Sequence, residues 1–255
     1  MILDKFSLKG KIGLVTGAGS GIGRAMATGL AEAGANVALA GNEMEVLEEA
    51  AAEMKRSGLH VSPFHVDMAD PESIEELVGS VLKKFGRIDF LFNNAGIIHR
   101  APFEKFPLED WEEMIKVNLT GPFLLSQAVA NHMIEKGIKG SIVNTSSLIA
   151  VLGGVTVPAY AATKGGLTQL TKAMCNDLGK YGIRVNAIGP GWVKTGMTKA
   201  LRENTERFQA ISDRIPLGRW ADPEDLAGLA VFLASDASAY ITGQVHFIDG
   251  GYLAM

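Results

Sequence analysis

The stretch Ile12-Gly13-Leu14-Val15-Thr16-Gly17-Ala18-Gly19-Ser20-Gly21-Ile22-Gly23 joins a short apolar run to four closely spaced glycines. The first half reads as a β-strand buried on both faces, because it lacks the alternation of a half-exposed strand. The glycines let the backbone turn sharply and let a pyrophosphate approach. The helix that follows presents free N–H groups and a positive dipole end to that phosphate. A glycine pattern by itself carries little information; one that follows the first strand and opens a helix has the required context. The competing reading is a tight strand–helix turn without a ligand. The phosphate reading puts Gly17, Gly19, Ser20, Gly21, Ile22 and Gly23 against a dinucleotide.

Outward from this turn, short apolar runs alternate with amphipathic stretches. Strands are expected at Ile12–Thr16, Asn36–Ala40, His60–Val66, Ile88–Phe92, Ser141–Thr145, Arg184–Ile188 and Gln244–Ile248. Helices are expected at Gly21–Ala33, Met44–Ser57, Pro71–Phe85, Leu108–Lys136, Pro158–Tyr181 and Pro223–Ala234. Leu47, Ala50, Ala51 and Met54 recur at spacings of three and four, so they share a helical face. Strands alternating with helices imply right-handed crossovers. The expected fold is α/β: a Rossmann-like, doubly wound, parallel seven-stranded sheet with helices on both faces, in one domain spanning residues 1–255. The segment Trp192–Trp220 breaks the rhythm and is expected to form a lid over the substrate.

Composition excludes several classes. The 255 residues carry a net charge of −4 and no run of Lys/Arg, which argues against nucleic acid and against a polybasic membrane anchor. Apolar runs are short and interrupted, so no membrane span is expected. The single cysteine, Cys175, excludes an intrachain disulfide, and the five histidines show no ligand spacing, so no metal is expected. Without an apolar leader in Met1–Lys11, the expected location is the cytoplasm.

Tyr160 and Lys164 stand four apart at the start of a helix and therefore share a face. A phenol near pKa 10 is a poor base at neutral pH, and a nearby ammonium favours the phenolate. Such a tyrosine can exchange a proton with an alcohol while hydride moves to or from a cofactor. Ser147 follows the strand Ser141–Thr145, at the strand end where open α/β sheets bind ligands. Its hydroxyl could hold the substrate oxygen. A Tyr/Lys pair by itself is also a common surface arrangement.

The second strand ends at Ala40-Gly41-Asn42, followed by Glu43 and Glu45. Asn42 can bond a ribose hydroxyl, and the carboxylates would repel a 2′-phosphate. NAD is therefore favoured over NADP, a choice that a remote base such as Arg24 could reverse.

Taken together in order, Thr16–Gly23, Asp67, Asn93-Asn94-Ala95-Gly96, Asn118, Ser147, Tyr160 with Lys164, Pro190-Gly191 and Asp249-Gly250-Gly251 resemble the short-chain dehydrogenase/reductase family from Leu8 to about Leu253. The resemblance implies that Asp67 bonds the adenine amino group and that Asn93 steadies the central sheet. Gly96 would leave room beside the cofactor. Met68, Asn94, Ala95, Pro190 and Gly191 would join the cofactor-contacting set, and Val193 and Thr195 would meet the nicotinamide amide. Lys164 would bind the nicotinamide ribose and lower the Tyr160 pKa. Asn118 would perturb its helix and hold a water in a proton relay. The implied assembly is a homotetramer; the apolar excess in Leu119–Ala130 and Gly165–Leu178 agrees with helices packed against a partner subunit.

Within the family the chain is similar to sugar-acid dehydrogenases, of gluconate or keto-deoxygluconate type. The segments Asn94–Arg100, Gly153–Pro158 and Arg214–Trp220 and the tail from Asp249 carry that likeness. Arg100 follows the fourth strand at its carboxyl end. There a guanidinium either grips a substrate carboxylate as a bidentate fork or is an ordinary surface arginine. Trp192 would wall the substrate pocket, and Met197 either does the same or packs the lid. Reduction of 3-oxoacyl thioesters on an acyl carrier protein, or of a simple sugar such as glucose, remains an alternative. So does a non-enzymatic, NAD-binding regulatory role, although mere binding does not require Tyr160.

Overall fold

In the computed structural model, which describes residues 1–255, the apolar runs pair side by side in one parallel sheet. Its strands are β1 (Ile12–Thr16), β2 (Asn36–Gly41), β3 (Val61–His65), β4 (Phe90–Asn93), β5 (Ser141–Thr145), β6 (Arg184–Pro190) and β7 (Val245–Ile248). Their order is β3-β2-β1-β4-β5-β6-β7, every pair parallel. The direction of winding reverses between β1 and β4, and the crevice at such a switch point is where doubly wound sheets bind ligands.

Local sequence explains the helices. In α3 (Pro71–Phe85) the Asp70 side chain accepts from the Glu72 N–H at 3.0 Å, Pro71 fixes the first turn, and Gly86 ends it with φ 77°. Ile74, Leu77, Val78 and Val81 form its buried stripe. Helices α1 (Gly21–Glu32), α2 (Met44–Arg56) and α10 (Ala227–Ala234) close one face of the sheet. The other face is closed by α3 and α5 (Gly121–Glu135), with the end of α7 (Pro158–Leu178).

The helix expected across Leu108–Lys136 is divided. It comprises α4 (Leu108–Ile115), a π turn at Lys116–Thr120, and α5. The cause is Asn118, which is fully buried in that turn. Its Oδ1 accepts from Ile97 N–H and its Nδ2 donates to Ile97 C=O, both at 2.9 Å. The side chain thus takes the place of a strand neighbour for Ile97, and the helix backbone widens to let it do so. Strand ends also differ from expectation. β4 begins at Phe90 rather than Ile88; just before it, Asp89 still donates its N–H to Ile12 C=O at 2.7 Å and accepts from Ser141 N–H at 3.1 Å, while its carboxylate accepts from Ile12 N–H at 2.9 Å and from Arg87. β6 continues to Pro190, where it pairs with Ile248.

Segment 192–220 forms two short helices, α8 (Lys199–Glu203) and α9 (Thr205–Ser212). Beneath them Leu148, Leu201, Ile211, Ile215, Trp220 and Tyr252 form a small cluster of their own, apart from both sheet cores. Trp192 and Phe208 pack against it, each with its ring centroid 5.4 Å from that of Trp220.

Candidate active site

The carboxyl ends of β1, β4, β5 and β6 open into a cavity of about 1250 Å³, roofed by residues of the 192–214 segment. That volume exceeds the usual range for a single small ligand and suits a dinucleotide together with a substrate.

The glycine turn forms one end. Gly17 and Gly21 hold φ of 63° and 52°, a region that favours glycine. A Cβ at Gly23 would collide with the Gly17 carbonyl and the Asn94 amide. Ser20 precedes α1 without capping it through its side chain, so the first-turn amides are left for a ligand. Across the turn, Thr16 Oγ1 accepts from the N–H groups of Asn94 and Ala95, each at 3.0 Å, and Asn94 Nδ2 donates to Thr16 C=O at 3.0 Å. This lacing ties the end of β1 to the segment after β4 and fixes the shape of the cradle between them. These residues fit a pyrophosphate-containing cofactor.

Ser147, Tyr160 and Lys164 converge at the other end of the same cavity. Buried Lys164 donates from Nζ to the Thr145 carbonyl at 2.6 Å and lies 5.5 Å from the Tyr160 ring centroid. Burial alone pulls the Lys164 ammonium down to about 8. Burial pushes the Tyr160 phenol up to about 12, opposed by its hydrogen bond with Ser147 and by the charge of Arg100. In the protein without cofactor the phenol therefore carries its proton at neutral pH, burial outweighing the ammonium of Lys164 that lies 5.5 Å from its ring.

Below them, a Cβ at Gly96 would stand 3.1 Å from Asn118 Oδ1 and 3.7 Å from Lys164 Nζ. Glycine keeps that passage clear. Asn118 itself lies behind the cavity wall, joined to the site through Ile97 and, at 3.5 Å, through Thr163. The central-sheet role expected of Asn93 has a geometric counterpart. Its Nδ2 donates to Ser126 Oγ and to Asn144 Oδ1, both at 2.8 Å.

Of the other expected site residues, Arg100, Pro190, Gly191, Trp192, Val193 and Thr195 line the cavity with Gly17, Ser20, Gly21, Ile22, Gly23, Asn94, Ala95 and Gly96. Gly19, Asn42, Asp67 and Met68 do not. Gly19 faces Val46 of α2, and Asn42 and Asp67 are exposed on the rim beyond β2 and β3. Met68, just after β3, is buried against Gly121 at the start of α5. Met197 is in the wall as well. His99 sits outside the cavity, its Nε2 2.8 Å from Glu113 and its Nδ1 3.9 Å from Asp110.

The reading of the sequence missed Arg202, Arg207, Arg214 and Tyr252, all in the wall. Every charged side chain lining the cavity is a cation: Arg100, Lys164, Lys194, Arg202, Arg207 and Arg214. Only Lys194 is ion-paired, to Asp222 at 3.0 Å. Partial burial and the neighbouring Arg207 charge hold the Arg100 guanidinium below its ordinary range, with Tyr160 opposing.

The family pattern described as enoyl-(acyl carrier protein) reductase matches residues 17–253. A 2-dehydro-3-deoxy-D-gluconate 5-dehydrogenase of Bacillus subtilis is 43% identical, with 98% of each chain covered. The chain belongs to the short-chain dehydrogenase/reductase family. Another relative, a gluconate 5-dehydrogenase of Gluconobacter oxydans, is 42% identical over 97% of this chain and 96% of its own. The crystal structure of a gluconate 5-dehydrogenase from Burkholderia cenocepacia in complex with NADP and tartrate superposes with a TM-score of 0.96, at 39% identity and full coverage of both chains. As a short-chain dehydrogenase/reductase, this protein is a nicotinamide-dependent oxidoreductase acting between alcohol and carbonyl. The NADP in the solved relative lends no support to the expectation that NAD is favoured.

Proposed function

We propose that the protein interconverts a secondary alcohol and a ketone on a sugar acid of gluconate or keto-deoxygluconate type. The observation that carries this reading is the convergence of Ser147, Tyr160 and Lys164 in a cavity whose charged lining is wholly cationic. A net-negative chain that gathers arginines around its proton donor has a site for an acid. The relatives' activities on gluconate and its keto-deoxy derivative point the same way.

The bound cofactor supplies the hydride acceptor or donor. Ser147 orients the substrate oxygen through its hydroxyl. Tyr160 donates its phenolic proton to that oxygen in reduction and recovers it in oxidation. Lys164, held by the Thr145 carbonyl, places a positive charge beside the phenol and favours the phenolate when the proton leaves. Asn118, by widening its helix and bonding Ile97, keeps the floor of the site in register. Arg100 binds the substrate carboxylate, Trp192 walls the pocket, and α8–α9 act as its lid. Gly17 to Gly23, Asn94 to Gly96 and Pro190 to Thr195 hold the dinucleotide, with Asp67 and Asn42 at the adenosine end.

For the ribose choice we keep NAD as the favoured cofactor. All the cavity's cations except Lys164 lie beyond β4 or in the lid, and Arg24 is engaged by Glu53 at 2.5 Å. We also propose a homotetramer and a cytoplasmic location. Leu108, Trp111 and Phe123 of α4 and α5 are exposed, as a packing surface for a second subunit requires. No helix is long and apolar enough to cross a membrane.

The test is a panel of sugar acids, neutral sugars and β-ketoesters assayed with NAD(H) and NADP(H). Turnover confined to the acids is the expected result. Turnover confined to β-ketoesters would transfer the site to acyl-thioester chemistry, and bound cofactor without turnover would return it to a regulatory role.

A further inference from the structure

Arg207, Ala210, Ile211 and Arg214 all line the cavity. Arg207, Ala210 and Ile211 share one face of α9, and Arg214 follows in the turn just past its end at Ser212. This part of the wall has an arginine at each end and an apolar centre.

The two ends have different surroundings. Arg207 is close enough to Arg100 for their charges to interact, and Arg100 in turn faces Tyr160. This end is next to the reacting oxygen. Arg214 is at the other end, its guanidinium carbon 4.5 Å above the centroid of the Tyr252 ring. Tyr252 is held edge-on by Trp192 at 6.1 Å, and its hydroxyl makes no hydrogen bond within the chain. Arg214 likewise has no ion pair and no side-chain hydrogen bond, and no carboxylate lines the cavity to serve either arginine. A guanidinium fixed on an aromatic face, with its fork free toward a cavity, is arranged for an oxyanion.

We propose that Arg214 and Tyr252 form a second anion subsite, so that the preferred substrate is a polyhydroxy acid with an acidic group at each end. This rests on the sugar-acid reading above. The Arg100–Arg207 end takes the carboxylate near the reacting carbon. Arg214 takes the distal group, whether a second carboxylate or a phosphate.

The experiment compares D-gluconate, with one carboxylate, D-glucarate, with two, and 6-phosphogluconate, whose distal group is a phosphate. The protein is assayed with both cofactors at low and high ionic strength. The wild type should favour glucarate, 6-phosphogluconate or both by about tenfold or more in kcat/KM over gluconate, as a charge-assisted contact supplies. Arg214→Gln should reduce that preference to near unity, and salt should weaken it. Carboxylate and phosphate are distinguished by which of the two is favoured. Equal or better use of gluconate by the wild type, or a preference that survives Arg214→Gln, overturns the subsite. If none of the acids is turned over, the sugar-acid reading falls, and the subsite is judged by thermal stabilisation of the NADP-loaded protein. A larger shift with glucarate than with gluconate, lost in Arg214→Gln, supports it; equal shifts overturn it.

Discussion

The sheet and the proposed lid of residues 192–220 are built on different principles. The sheet is closed on both faces by long stripes of fully buried side chains, among them Leu14, Val15, Leu30, Leu91 and Phe92. The lid rests on six buried residues and a few tilted or stacked rings, and most of its polar residues are exposed. Burying apolar area stabilises roughly in proportion to the area removed from water. The sheet therefore carries most of the stability, and α8 and α9 contribute less. The glycine cradle and the residues proposed for proton transfer are on the rigid, sheet side of this division. The arginines proposed to select a substrate, Arg100 excepted, are on the less packed side.

The largest expected effect is on the rigid side. Tyr160→Phe removes the proposed proton donor, and turnover should fall by about a hundredfold or more with cofactor affinity retained. Retained turnover would break the assignment of proton transfer to the sheet. The same residue sets a pH dependence. With the phenol held up to about 12, Tyr160 carries its proton at neutral pH, so reduction needs no change of protonation. Oxidation needs the phenolate, and kcat/KM in that direction should climb with pH. The climb should flatten above about 8, where Lys164 loses the charge that favours the phenolate. Profiles in the two directions with the same slope would contradict this.

Stability separates the regions next. Leu91→Ala opens a cavity under the sheet and should cost about 2–5 kcal/mol in denaturant unfolding. Ile211→Ala in the lid cluster, with less packed around it, should cost less and appear chiefly as a raised KM. Equal losses of stability would mean that lid and sheet unfold as one. Smaller again, Arg100→Ala should raise KM for sugar acids by about tenfold and leave neutral alcohols nearly unchanged. A KM for the acids that does not move would take Arg100 out of the binding site.

Legibility followed the same division. The strands and most helices could be read because continuous apolar runs and a regular stripe of Ile74, Leu77, Val78 and Val81 leave few alternative faces to bury. The π turn at Asn118 was out of reach of periodicity. It arises from a side chain bonding a backbone unit 21 residues away, a tertiary event without a local pattern. Ser147, Tyr160 and Lys164 were legible from spacing and from their place after β5. Arg207 and Arg214 were not, because α9 is short, carries polar residues on its other faces too, and ends before Arg214. Only the roof position of the segment shows that this face is turned inward.

The smallest effect concerns the cofactor's ribose. Arg24 is the one cation of α1, and it reaches across to α2, which begins just beyond the end of β2. There Glu53 holds it at 2.5 Å, with both side chains partly exposed. An exposed ion pair of this kind contributes about 1 kcal/mol at most. Freeing Arg24 is therefore inexpensive, and a 2′-phosphate could compete with Glu53 for it, even as Glu43 and Glu45 repel that phosphate. Glu53→Gln should raise the ratio of kcat/KM for NADP over NAD by about two- to fivefold, in keeping with a loss of that size. The fold should be undisturbed, since Glu53 lies on the solvent face of α2, away from Leu47, Ala50, Ala51 and Met54. An unchanged ratio would show that Arg24 stays out of reach of the ribose. The discrimination would then belong to Asn42 and the carboxylates that follow β2.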